Sequence, residues 1–152
     1  MNALLQEGLS NGNLTVEPNL KQAVAGAELV WITQDTHVND DDTVDLSELD
    51  ALIGRLGPLL ENDTSVAVSS QVPVLTCERW WKQLYSAAQD RNTSLSGPAY
   101  LPENLPLCAA LARFRQPDLI VIGSNDVRTG APVTGFTVFT QAPMSAQNPP
   151  PP

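Results

Sequence analysis

Three continuous apolar runs, set apart by segments of helical period, constrain this chain more than any other feature. They are Glu28-Leu-Val-Trp-Ile-Thr33, Ser65-Val-Ala-Val-Ser69 and Asp118-Leu-Ile-Val-Ile-Gly123. None alternates apolar with polar residues, as a strand with one wet face would. Such runs suit strands covered on both faces, the condition of a parallel sheet. Between them the apolar period changes to that of a helix. Residues 18–27 place Leu20, Ala23, Val24 and Ala27 on one helical face, with Pro18 in the first turn. Residues 45–60 carry Leu46, Leu49, Leu52, Ile53, Leu56, Leu59 and Leu60 on one face. There Asp45 is the expected cap and Glu48 its capping-box partner. Residues 75–89 predict a helix whose Trp80-Trp81 pair reads as one core and one surface residue, and 104–115 predict another, with Pro106 in its first turn. The fold class is therefore α/β, a mostly parallel sheet with flanking helices and right-handed crossovers.

The remaining segments are shorter. Residues 2–10 read as a helix ended by the turn Ser10-Asn-Gly-Asn13, and Leu14-Thr-Val-Glu17 as a short strand. Residues 34–43 read as a polar loop, and Ala99-Tyr100 as the end of a short strand. Beyond Asp126 the pattern fades: 127–141 hold a candidate strand at 133–140, and 142–152, ending in four prolines, read as a disordered tail.

At 152 residues this is about one domain. Eight basic residues against 17 acidic ones, a net charge of −9, exclude a nucleic-acid backbone as partner. Cys77 and Cys108 lack metal or redox spacing and read as buried reduced thiols. His37, the only histidine, reads as an exposed loop residue. The run Asn39-Asp-Asp-Asp-Thr-Val-Asp45 lacks the glycine turn and terminal glutamate of a calcium loop, so no metal is expected there. No basic leader and no apolar run of membrane-spanning length is present, which predicts a cytoplasmic protein without a membrane segment.

Several pieces, in order, carry a family resemblance. Asn2-Ala-Leu-Leu-Gln-Glu-Gly through Val16, Ala25-Gly-Ala-Glu-Leu-Val-Trp-Ile-Thr33, Val44-Asp-Leu-Ser47, Ser69-Ser-Gln-Val-Pro73 and Tyr100-Leu-Pro-Glu-Asn-Leu105, with Pro117–Gly123 after them, are the pieces concerned. Residues 2–126 resemble the latter part of the NAD-binding domain of the UDP-glucose/GDP-mannose dehydrogenase family. The resemblance implies an incomplete Rossmann-like fold, NAD as the family's cofactor and a nucleotide sugar as its substrate. It places the candidate cofactor-binding residues at Thr36, Ser70 and Gln71, and a candidate substrate-binding residue at Glu103.

The same resemblance exposes departures. The family's Gly-Thr-Pro turn stands here as Asp35-Thr36-His37, so only Thr36 matches. The family's Ser-Thr-Val-Pro stands as Ser70-Gln71 before Val72-Pro73, with an amide where a hydroxyl orders water. Its Asn-Pro-Glu-Phe-Leu-x-Glu motif becomes Leu101-Pro102-Glu103-Asn104-Leu105-Pro106-Leu107. The second glutamate, which has an acid/base role in the family, is Leu107, and leucine transfers no proton. No Gly-x-Gly-x-x-Gly turn occurs in the 152 residues. The family's first βαβ unit would precede Met1, and its catalytic cysteine, whose context neither Cys77 nor Cys108 matches, would follow. No catalytic residue is assigned.

In the Rossmann strand order 3-2-1-4-5-6, a chain without the first two strands bares one edge of the 28–33 strand. We expect residues 14–17 to move beside it; pairing with another chain, or cover by 133–140, are the alternatives. Functionally, the resemblance implies a truncated or degenerate NAD-dependent dehydrogenase relative that is inactive alone and binds no NAD by itself. The alternative is a non-enzymatic interaction module, pairing with itself or docking on a full-length dehydrogenase. A third reading, an active enzyme completed by a partner, is opposed by Gln71 and Leu107.

Overall fold

The computed structural model describes residues 2–102, 105, 108–116 and 121–124. Its centre is a three-stranded parallel sheet of β1 (Leu29–Ile32), β4 (Ser65–Val68) and β5 (Pro98–Tyr100), in the order β1-β4-β5. Leu29 lies opposite Ser65 and Val66 opposite Pro98, and the register holds through Ile32–Val68 and Val68–Tyr100. The first two apolar runs of the sequence thus form adjacent strands, as their composition predicts.

Side chains leave this sheet in alternation. Val30, Ile32, Val66, Val68 and Tyr100 face the main core, while Leu29, Trp31, Ala67 and Ala99 face a second, smaller cluster. The main core is closed by α3 (Ser47–Leu56), the 3-10 turn Gly57–Leu59 and α4 (Thr76–Gln89). Leu49, Ile53, Leu56 and Leu60 are buried there, as the helical period requires, together with Trp80, Leu84 and Ala88 of α4. On the opposite face Phe114 of α5 (Ala110–Arg115) stacks on Trp31, with ring centroids 6.2 Å apart. The sheet is therefore covered on both faces, which is why its strands carry no polar stripe.

Trp80 is fully buried, whereas Trp81 is half-buried and meets Tyr85 edge-on with centroids 5.0 Å apart. That is the expected division of the tryptophan pair. Arg91 ties the end of α4 to the preceding layer, its guanidinium donating to the carbonyls of Gly57 at 2.9 Å and Leu60 at 2.8 Å. It thereby satisfies carbonyls that the end of a helix leaves unpaired.

Elsewhere the structure corrects the sequence reading. Helix α1 (Asn2–Ser10) ends at the expected turn, with Gly12 at φ 76, but residues 14–17 form no strand. The Leu14 amide donates to the Gly8 carbonyl at 2.9 Å, folding this segment back on α1 rather than against the sheet. Among the described residues no strand pairs with the other edge of β1. Helix α2 is confined to Leu20–Ala23, because the Asn19 side chain accepts from the Lys21 and Gln22 amides and sets the start there.

The polar loop at 34–43 contains half of a small antiparallel hairpin, β2 (His37–Val38) with β3 (Val44–Asp45). Helix α3 starts at Ser47 with Leu46, not Asp45, at its N-cap; Asp45, one residue earlier, accepts from the Ser47 amide at 2.8 Å, and Glu48 accepts from Gln34 Nε2 instead of closing a capping box. Cys77 is half-buried. Cys108 is exposed, contrary to expectation, because it lies in the turn before α5 rather than inside a helix. Of the third apolar run, residues 118–120 lie outside the described residues, and Gly123 makes a single antiparallel bridge to Tyr100. The candidate strand 133–140 and the tail 142–152 also lie outside them.

Candidate functional site

In a parallel α/β sheet every crossover leaves from the carboxyl end of a strand, so the loops gather along that edge and ligands bind there. Here the edge is built by residues 33–46 after β1, 69–75 after β4, and the described residues that directly follow β5, 101 and 102. Three of the four residues picked out by sequence meet on it. The Thr36 hydroxyl donates to the Gln71 carbonyl at 2.9 Å, and the Ser70 hydroxyl to the Gln34 carbonyl at 2.5 Å. These two bonds cross in opposite directions and join the loop after β1 to the loop after β4. Next to them Trp31 Nε1 donates to Ser69 Oγ at 2.7 Å. Ser69 and Ser70 are buried, Thr36 is half-buried and Gln71 is exposed. Glu103 lies outside the described residues.

The bonds fix the polarity of the site. Each hydroxyl has one proton, and here both go to backbone carbonyls, so Thr36 and Ser70 would have to give up those bonds to donate to a ligand. Other donors on the edge are the exposed Gln71 amide, the Thr33 hydroxyl, the His37 ring N–H, the remaining amide protons of Gln34 and Asn39, and backbone N–H groups, none of them a lysine or arginine.

Charge points the same way. Residues 33–46 contain five aspartates, Asp35, Asp40, Asp41, Asp42 and Asp45, and no lysine or arginine occurs in 22–54, 56–78 or 92–112. Asp41 is held below the ordinary carboxylate range by hydrogen bonds from the Thr43 side chain and amide, and Asp45 by bonds from the Ser47 amide and hydroxyl, with a smaller contribution from His37. Arg79, which follows the start of α4, is paired with Asp50 at 2.8 Å. His37 is exposed, as expected, but stands in strand β2 opposite Asp45 rather than in a loop.

A feature that the sequence did not announce adjoins the edge. Val74 is 91% and Leu75 70% exposed, and Leu75 adopts a left-handed backbone, φ 71, at the start of α4. A separate cleft of about 210 Å³ opens between α4 and β5, with Val68, Cys77, Trp80, Trp81, Tyr100 and Ser124 among its walls. Thr36, Ser70 and Gln71 are not among its walls. Burial pushes the Cys77 thiol up, so it stays protonated and is no activated nucleophile.

A parallel sheet wrapped by helices, with hydroxyl-bearing loops meeting at its carboxyl edge, defines a Rossmann-type α/β domain. Comparison with known proteins makes this specific. Residues 1–141 match the UDP-glucose/GDP-mannose dehydrogenase family, NAD binding domain, and the chain belongs to that family. A UDP-glucose 6-dehydrogenase of Pseudomonas aeruginosa is 32% identical over 131 residues, covering 86% of this chain and 29% of that protein. One from Rhizobium meliloti is 34% identical over 124 residues, covering 79% and 27%. Among solved structures, a GDP-mannose dehydrogenase from Pseudomonas aeruginosa in a ternary complex shares the fold with a TM-score of 0.82 at 23% identity, over 93% of this chain and 34% of that one. A UDP-glucose dehydrogenase from Pyrobaculum islandicum gives 0.78 at 28% identity, over 92% and 33%. The chain thus spans less than a third of the length of these curated relatives.

The family domain is one that binds NAD. A pyrophosphate is held by helix N-termini, glycine-rich backbone and cationic or hydroxyl donors. The described edge offers two hydroxyls already bonded to backbone carbonyls, five aspartates, no glycine-rich turn and no lysine or arginine in its loops. This donor set does not fit the group. Among the described residues no helix is long and apolar enough to cross a membrane.

Proposed function

We propose that this chain is a degenerate partial NAD-binding domain of a nucleotide-sugar 6-dehydrogenase, which keeps the domain's fold, binds no NAD by itself and performs no oxidation alone. The observation that carries this reading is the commitment of both candidate hydroxyl protons, Thr36 to Gln71 and Ser70 to Gln34. Gln71 and Leu107 support it, standing where the family resemblance calls for a hydroxyl and an acid/base glutamate. A cytoplasmic location accords with this reading, since nucleotide sugars are cytoplasmic precursors.

The test is a thermal melt of the 152-residue chain, alone and with millimolar NAD⁺ or UDP-glucose. A cooperative transition that neither ligand moves is the expected result. Ligands that bind only the folded state raise Tm by mass action, so a rise with either one overturns the reading.

A second reading, an interaction module that pairs with itself or docks on a full-length dehydrogenase, is favoured by α1. Leu4, Leu5 and Leu9 remain 40–45% exposed there, and Val16 just beyond it is 74% exposed. Sedimentation velocity across a concentration series, with and without a full-length UDP-glucose dehydrogenase, decides it. A single monomeric species throughout would exclude this role.

A further inference from the structure

Given the degenerate-domain reading on which this inference rests, two different obstacles to a dinucleotide can be separated: the want of a glycine-rich turn, and the character of the edge that is present. We infer that the acidic segment 35–45, which includes the β2–β3 hairpin, opposes anionic nucleotides at the carboxyl edge of the sheet, so that neutralising four of its five carboxylates raises affinity for NAD⁺. The hairpin is fixed at that edge, not merely near it in sequence. Its base is bound to the β4 loop through Thr36 and Gln71 at 2.9 Å, and the residue two before it through Ser70.

Its own bonds shape the turn and hold the Asp41 carboxylate in place. Asn39 and Asp41 both bond Thr43, and Asp42 sits at the turn with φ 62. Asp35 accepts from the Thr36 amide at 2.9 Å, taking up a backbone donor that an anion would otherwise use. Against these charges the edge loops set no lysine or arginine. A pyrophosphate brought to this edge would meet fixed negative charge, carbonyls and acceptor oxygens. Coulomb repulsion of this kind is long-ranged at low salt and fades once the Debye length falls below the separation.

The experiment compares the wild-type chain with Asp35→Asn/Asp40→Asn/Asp41→Asn/Asp42→Asn. Each asparagine keeps an oxygen able to accept the bonds from the Thr36 and Thr43 amides, and asparagine tolerates the left-handed backbone at position 42. The milder Asp40→Asn/Asp42→Asn chain is the second variant, and melting curves verify that each is folded. Binding of NAD⁺ and of adenosine is measured by ligand-observed NMR titration at about 20 mM and about 0.5 M salt.

The expected result is an NAD⁺ affinity at low salt about fivefold higher in the quadruple variant, with a smaller gain in the double one, shrinking toward parity at high salt. Adenosine, which carries no phosphate, should bind all three chains equally. Equal NAD⁺ affinities at low salt, including undetectable binding by all three, overturn the inference. So does a matching gain for adenosine, because the change would then not be one of charge. Sub-millimolar NAD⁺ binding by the wild type would instead overturn the functional reading, and leaves the ratio between chains as the separate test.

Discussion

Trp80 Nε1 donates to Asp50 Oδ1 at 2.5 Å, and Arg79 pairs with the same oxygen at 2.8 Å. One carboxylate oxygen on α3 thus receives both an indole and a guanidinium from α4. The arrangement settles the orientation of a fully buried tryptophan, whose N–H would otherwise be lost from water without replacement. Burial acts to raise the Asp50 carboxyl, but the bonds from Trp80 and Arg79 and the Arg79 charge outweigh it and hold it below the ordinary value.

Asp50→Ala should therefore destabilise the chain by about 1–3 kcal/mol, the cost of leaving a buried donor unsatisfied. Asp50→Asn, which retains an acceptor oxygen, should cost less. The pH dependence follows from the depressed carboxyl. Its contribution is complete above the unfolded-state value and is lost as pH falls through the lower folded-state value. Urea denaturation of wild type and Asp50→Asn from neutral to strongly acidic pH checks this, since the difference between them should narrow only at the acidic end.

Leu75→Gly should stabilise the protein. Leu75 is held at φ 71 while 70% exposed, so the left-handed strain is offset by little packing. Removing a strain of about 1–2 kcal/mol, against the greater unfolded freedom of glycine, leaves a net gain of about 0.5–1 kcal/mol. The denaturant midpoint should rise with an unchanged slope.

Gly57 serves a different purpose. Its φ of −46 is open to any residue, but a Cβ there would stand 2.9 Å from Ala87 Cβ, where the turn after α3 packs on α4. Gly57→Ala should cost about 1–3 kcal/mol through overpacking. Adding Ala87→Gly relieves the contact and should recover part of that loss, despite the helix-interior glycine penalty of about 1 kcal/mol. A double-mutant cycle on Tm or denaturant midpoint gives the coupling directly.

Legibility from sequence followed the range of the forces concerned. The 45–60 segment announced its buried face because Leu49, Ile53, Leu56 and Leu60 recur at the helical period, and all four are buried. The strand at 65–69 was legible because both faces of this central parallel strand are dry, and the one at 28–33 because its continuous apolar run survives at the sheet edge, where it is only partly buried. Residues 14–17 were misread: four residues of β-like composition cannot show that the Leu14 amide will bond to Gly8 instead of to a neighbouring strand. The β2–β3 hairpin was missed because its turn is formed by Asn39, Asp41 and Thr43 side chains, with no glycine to signal it.

By itself the sequence determined the α/β class, the order of the elements and the acidic character of the loops, since local period and composition carry these. It also brought Thr36, Ser70 and Gln71 to notice. Tertiary structure alone decided what those groups can do. The Thr36 and Ser70 bonds link residues 35 and 36 positions apart, and they form only once β1 and β4 lie side by side. A hydroxyl can donate its single proton to one partner. That choice, made by the fold, engaged two candidate donors with the backbone.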